Sequence, residues 1–298
     1  MASPIRRSRS DIVFDVVNYT LLTLVFFIIA YPLYFVIIAS FSDPYLVTTG
    51  QVWFYPRGLN LDAYAKVFAR EDIMLGYRNT IIYTFLGTLL NLVMTIIGAY
   101  PLSLPGFKGK NLIMMMMMIT MFFSGGLIPT YLVYKQIGLI NNPLVMIIPG
   151  AVSVYKLIIV RKFFQNSITF ELQEAARIDG CNNFQILTRI VVPLSKPILA
   201  VMVIFYGVGH WNQFFEGLIY LTNQDLYPLQ LILRSLLIVQ SDVTSSAAGD
   251  AEELARKVML AESIKYSVII VSSVPVMILY PFMQKYFVKG VMIGAVKG

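Results

Sequence analysis

The sequence predicts an all-α integral membrane protein with six transmembrane helices, and three observations carry that prediction. Hydrophobic residues fill 57% of the 298 positions and charged residues only 13%, and a mean hydropathy of +0.72 lies far from the balance of a soluble domain of this length. Apolar runs long enough to cross hydrocarbon, ~20 residues for ~30 Å, recur six times. Lys and Arg gather on one set of the segments between the runs, as expected of the side facing the cytoplasm.

The first run, Val16 to Ser40, exceeds the apolar length of a signal peptide and no small-x-small cleavage site follows it, so it is expected to remain as a helix. The remaining runs extend from Asn79 to Leu104, Leu112 to Tyr134, Leu144 to Phe163, Ile198 to Leu221 and Ser263 to Phe287. Arg6, Arg7 and Arg9 at the start, Lys108 and Lys110 after the second run, and Lys285, Lys289 and Lys297 at the end lie on one side. With six spans, both termini are then cytoplasmic, and the net charge of +7 reflects topology rather than affinity for nucleic acid. The Met114 to Met118 run reads as flexible apolar filler, since five adjacent residues point all around a helix. One cysteine, Cys181, and one histidine, His210, give no internal disulfide, no zinc cluster and no Cys/His nucleophile with a spare His. No metal site, cofactor site or catalytic residue is expected in this chain.

Three segments outside the runs are long enough to act. The outer loop Phe41 to Arg78 carries Trp53, Phe54 and Tyr55, which read as headgroup anchors or, alternatively, as a sugar-stacking platform. A short helix from Asp62 to Phe68 is expected within it. The second outer loop, residues 222–262, passes through a small-residue stretch including Ser245, Ser246 and Gly249 that suits contact with a partner. The third segment, residues 164–196, lies on the basic side yet is patterned like ordered structure. Thr169 is placed to cap a helix Phe170 to Asp179, Gly180 to close it, Asn182 or Asn183 to cap a second short helix, and Pro193 and Pro197 to end that one.

Within that third segment, Glu174-Ala175-Ala176-Arg177-Ile178-Asp179-Gly180, followed by Ile190 and Pro193, resembles the EAA motif of bacterial ATP-binding-cassette importer permeases. Trp211-Asn212-Gln213-Phe214-Phe215 and the tail from Tyr286 to Gly298 look like the maltose-type carbohydrate branch, most like members importing oligosaccharides. Gln213 departs from the acidic residue many relatives carry. The resemblance implies a type I importer membrane fold, with a core transmembrane module over residues 75–287 of a single membrane domain. It implies that Glu174, Ala175, Ala176, Arg177, Asp179, Gly180, Ile190 and Pro193 couple to an ATPase. It also implies a second homologous permease, two ATPase subunits that bind ATP and Mg, an extracellular binding protein, and a bacterial inner-membrane location. The chain itself lacks the Gly-x4-Gly-Lys-Ser/Thr phosphate loop, so it is expected to be a non-catalytic subunit.

For the path, Phe205, Gly209, Asn212 and Glu216 follow helical spacing and are expected on one face of the fifth run, beside Trp211. An intramembrane carboxylate costs ~3 kcal/mol, so Glu216 either lines a cavity or reaches the outer interface. His210 reads as a satisfied packing residue, and Gly207 and Gly209 as sites of close helix approach. An ion-coupled carrier or channel is the competing reading; two intramembrane charges, Lys156 and Glu216, and no visible repeat weigh against it.

Overall fold

The structure, a computed structural model, describes residues 8–236, 264–278 and 281, and all regular structure among them is helical. Contacts divide the chain into two compact units, one of residues 1–69 and 236–272, the other of residues 70–235 and 273–298.

The first unit is built on α1 (Arg9–Ser40), followed by the short α2 (Pro44–Thr48) and α3 (Asp62–Phe68). The Ser8 amide donates to the Asp11 carboxylate at 2.9 Å, satisfying an orphan group at the helix start. Apolar side chains from Ile12 to Leu33 are exposed all around α1, and only Ile38, Ala39 and Ser40 at its end are buried. The loop closes there: Tyr64 Oη donates to Ser40 Oγ at 2.8 Å, the Arg57 amide to Ser42 Oγ at 3.2 Å, and the Phe41 and Tyr64 rings stack 5.3 Å apart. The expected helix α3 forms where the sequence places it, with Asn60 Oδ1 accepting from the Asp62 amide at 2.7 Å. Trp53, Phe54 and Tyr55 are exposed, and their strand of backbone is held to α1 by Tyr31 and Tyr34, whose hydroxyls donate to the Trp53 and Phe54 carbonyls.

The second unit is organised by α4 (Glu71–Ser103). Glu71 and Asp72 sit at its positive N-terminal end, and Leu104, held extended before Pro105, stops it. Next come α5 (Lys110–Phe122), α6 (Leu127–Gln136), a 3-10 turn at Pro143–Met146, α7 (Val154–Ser167) and α8 (Phe170–Ile178). Then α9 (Asn183–Ile186) runs through a π-helical stretch, Leu187–Val191, into α10 (Val192–Leu194), followed by α11 (Lys196–Trp211) and α12 (Phe215–Tyr220). A further helix, α13 (Ile264–Ile278), contributes residues to both units.

Helices α7 and α11 pack against α4. Three α4 glycines eleven residues apart, close to three helical turns, admit close neighbours on that face, Gly87 from α11, Gly98 from α7 and Gly76 from the segment at 229–232. A Cβ on Gly76 would come within 2.6 Å of Ile232 Cδ1, one on Gly98 within 2.8 Å of Leu157 Cδ1, and one on Gly87 would overlap the His210 ring. Around the lower half of α4 a core forms from Ala99, Tyr100, Leu157, Val160, Phe164 and Met202, and it continues into the 164–196 segment through Ile168, Ala176, Ile186 and Val191.

The six apolar runs thus resolve differently from six straight rods. Only α1 and α4 are by themselves long and apolar enough to cross a membrane; counting each bent helix pair as one span raises this to four among the described residues. The third run breaks between α5 and α6 with a bend of 112°, because Gly125 and Gly126 interrupt it and Gly126 takes a left-handed φ of 84°. The fourth run opens on the 3-10 turn and is α-helical only from Val154, since Pro149 lacks an amide and Gly150 turns at φ 75°. The fifth breaks after Trp211, and the sixth, Ser263 to Phe287, lies partly outside the described residues. The second short helix of the 164–196 segment ends at Leu194, between Pro193 and Pro197 as expected, and a π turn just before Pro193 gives the proline ring room. The helical run then turns by 81° at Ser195, ahead of Pro197 in the first turn of α11.

Candidate functional site

Helix α8 starts at Thr169, whose side chain makes no capping hydrogen bond, and is closed at its far end by local hydrogen bonds. Thr169 is its N-cap in an extended conformation, Glu171 lies in the first turn and Arg177 in the last, so both charges oppose the helix dipole. At the far end Gly180 adopts φ 85°, its amide donates to the Arg177 carbonyl at 3.0 Å, and the Cys181 amide donates to the Ala176 carbonyl at 2.9 Å. That is the paired closure of a Schellman motif. One residue on, Asn182 and Gln185 form a reciprocal capping box, each side chain accepting from the other's amide at 2.9 Å. Two helices therefore meet at a corner with little slack.

The corner has a buried and an open side. Gln173 and Ala176 turn inward, Ala176 into the core and Gln173 within 3.5 Å of the Tyr100 hydroxyl. Ile190 also packs against the core. Glu174, Ala175, Arg177, Asp179, Gly180 and Pro193 are exposed. The two alanines expected to couple to an ATPase are thus split, because a step of one residue rotates a helix by ~100°: Ala175 faces out and Ala176 faces in. Two apolar side chains on the open side are additional to the expected set, Ile178 at 87% exposure and Phe184 at 72%. Their signal is an apolar residue at a position where the helical period calls for a polar one.

On α11, Phe205 and Gly209 are exposed, and so is Asn212, whose amide donates to the Val208 carbonyl at 2.9 Å. Glu216 does not extend that face. The helix ends at Trp211, and Glu216 sits in the first turn of α12 after the break. Trp211 is buried, with its ring 6.2 Å from that of Tyr77, and lines an apolar cavity of about 450 Å³ with Phe85, Leu89 and Val208. A wall so poor in hydrogen-bonding groups suits hydrocarbon, not a hydroxylated cargo. Gly209 has open space around its Cα and Gly207 only an ordinary contact with Thr88, so neither is a close-approach glycine; α4 supplies those instead.

His210 is a satisfied packing residue, as its sequence context implies. Its Nε2 lies 2.7 Å from Asn91 Oδ1 and its Nδ1 3.1 Å from Gln213 Oε1. Asn91 in turn donates to the Gly150 and Ala151 carbonyls at 2.7 and 2.9 Å. Asn91 was not singled out by its type alone; the signal is its place on one α4 face with Thr88 and Thr95. Lys156 and Glu216 form no ion pair with each other. Lys156 Nζ instead donates to the Phe205 carbonyl at 3.2 Å and lies 3.7 Å from the Tyr206 ring centroid. Ser245, Ser246 and Gly249, the expected binding-protein contacts, lie outside the described residues, as does most of the 222–262 loop. The loop's first residues are tied down: Asn141 Oδ1 accepts from the Thr222 and Asn223 amides, and Asn79 donates to the Asp225 and Tyr227 carbonyls.

Residues 73–293 match the family described as binding-protein-dependent transport system inner membrane component. The chain is 39% identical to Protein LplC of Bacillus subtilis (strain 168) over 286 residues, covering 96% of this chain and 95% of that one. It is 37% identical to the polygalacturonan/rhamnogalacturonan transport system permease protein YtcP of the same organism, over 96% of this chain and 98% of the relative. Its fold is similar to a chain in the crystal structure of a bacterial ABC transporter involved in the import of the acidic polysaccharide alginate. The TM-score is 0.85 at 32% identity, over 95% of this chain and 99% of that chain.

Proposed function

We propose, since this chain belongs to the family of binding-protein-dependent transport system inner membrane components, that α8 is the lever through which a separate ATPase drives it. The chain is a multi-pass membrane permease subunit of an ATP-binding-cassette importer for sugars or oligosaccharides. In our reading the hydrolytic chemistry belongs to other chains: two ATPase subunits bind ATP and Mg, and this subunit carries no cofactor. An extracellular binding protein delivers the carbohydrate, and a second homologous permease completes the wall of the path. Both termini face the cytoplasm, on the side of the basic segments.

The observation that supports the lever is the two-sided corner at α8. Its inner side is continuous with the core that joins α4, α7 and α11, so a displacement of α8 moves packed helices as bodies rather than bending a loop. Its outer side presents Glu174 and Arg177 beside the exposed Ala175, Ile178 and Phe184. A charge-assisted contact from Glu174 to a basic ATPase residue, set in an apolar rim, suits a joint that has to pull as well as push. Glu174→Ala removes that contact and nothing from the core. The assembled importer should lose about tenfold or more in uptake, the lower range for a hydrogen bond to a charged group, while ATP hydrolysis by the complex persists. Wild-type uptake by this variant sinks the assignment.

A further inference from the structure

We propose that Lys156 is a selectivity site for anionic oligosaccharides, meeting a carboxylate of the cargo as it passes along α11. The inference rests on the importer reading and adds a substrate class to it.

Lys156 stands where a lysine is hard to explain by stability. It lies in the first turn of α7, the positive end of the helix, where a cation is repelled rather than favoured. It lies within an apolar run, and the next charges along α7 toward the coupling segment, Arg161 and Lys162, are about 8 Å away along the axis at ~1.5 Å per residue. Among the described residues no carboxylate reaches ion-pair distance, Glu216 included. A half-buried charge in an apolar run that meets no counter-charge among the described residues carries a cost, and such charges mark pathways.

Yet the ammonium is held in place. The Phe205 carbonyl accepts one of its protons at 3.2 Å, and the Tyr206 ring faces it at 3.7 Å. Tyr206 is itself fixed, its hydroxyl 2.7 Å from Thr95 Oγ1. A carbonyl and a ring face orient a cation without neutralising it, and an ammonium with three donors keeps capacity for another acceptor. Lys156 is only half-buried, and the carbonyl that holds it belongs to Phe205, whose side chain heads the exposed α11 face running through Gly209 to Asn212. An oriented cation that meets no carboxylate among the described residues, beside the exposed face of α11, matches a sugar acid, whose carboxylate gains a charge-assisted bond that a neutral sugar cannot make.

The test uses the assembled importer in vesicles, with a galacturonate oligosaccharide and a neutral galactose oligosaccharide of equal length in direct competition. Wild type is expected to favour the acidic sugar. Lys156→Gln should lower the acidic-to-neutral uptake ratio about tenfold, and Lys156→Arg, which keeps the charge, should restore most of it. An unchanged ratio in Lys156→Gln overturns the inference and leaves the importer reading standing, as does wild-type preference for the neutral sugar. Loss of the second permease from the purified Lys156→Gln complex also overturns it, since the lysine then pairs with a carboxylate of that subunit. Absence of any ATP-dependent carbohydrate uptake by wild type removes the importer reading itself.

Discussion

Two helices of nearly equal length, α1 with 32 residues and α4 with 33, solve opposite problems. Helix α1 is largely apolar around its circumference and exposed along most of its length, with burial setting in over its last two turns. Helix α4 carries a seam of small and polar residues, Gly76, Thr80, Tyr83, Gly87, Asn91 and Thr95, and that seam is buried. The difference reverses the intuition drawn from soluble proteins. Lipid tails are as apolar as leucine, so an apolar face gains nothing by leaving them, whereas small and polar side chains gain close packing and hydrogen bonds by facing protein. Hydropathy separates a span from a loop; the polar minority within the span tells which side of it meets protein.

The sharpest way to break this comparison is to fill the seam. Gly87→Val places methyl groups where the His210 ring now lies, forcing the ring away and severing its bond to Asn91. Overpacking of this kind costs about 3 kcal/mol, read as lost thermal stability of the purified chain in lipid nanodiscs. Retained stability would show that α4 and α11 are free to part. A milder intrusion is Asn91→Leu, which keeps the bulk but strips partners from His210 and from the Gly150 and Ala151 carbonyls. Hydrogen bonds between membrane helices are individually modest, so the expected loss is about 1 to 2 kcal/mol. A neutral or stabilising outcome would mean the network serves geometry rather than stability.

Such distinctions are unevenly legible in the sequence. The α8 corner is readable residue by residue, because Gly180 and Asn182 act on their own backbone neighbourhood whatever the rest of the chain does, and Thr169 marks the helix start by position alone. His210 is readable as packing because a lone imidazole among apolar residues needs partners. The bends are not, since an apolar average over twenty residues is the same for a straight rod and for α5 and α6 bent by 112°. Gly125, Gly126, Pro149 and Gly150 announce those breaks, but a hydropathy window outvotes them. The same limit explains Glu216: extrapolating a helical face from Asn212 assumes an unbroken helix, and the break at 212–214 removes the assumption. Which alanine of the motif points inward depends on where the core lies, which no local signal states.

The smallest effect is expected where hydrophobicity is greatest. Phe27 lies midway along α1 with 64% of its surface exposed, beside Phe26 in an edge-to-face contact at 5.6 Å. Truncating a buried phenylalanine in a packed core costs ~3 to 5 kcal/mol, because transferred area and a residual cavity both count. Around α1 neither term applies if the ring faces hydrocarbon: lipid flows into the vacated volume, and the exposed methylene surface stays in an apolar solvent. Part of the edge-to-face contact with Phe26 is lost, worth ~0.5 kcal/mol at the low end for such pairs. Phe27→Ala is therefore expected to lower the stability of the purified chain in lipid nanodiscs by no more than about 0.5 kcal/mol, within the range of ordinary surface substitutions. A loss of several kcal/mol in the same measurement would mean that this stretch of α1 is covered by protein, either by another copy of the chain or by its own remaining residues, and the contrast with α4 would then be one of partner rather than of solvent.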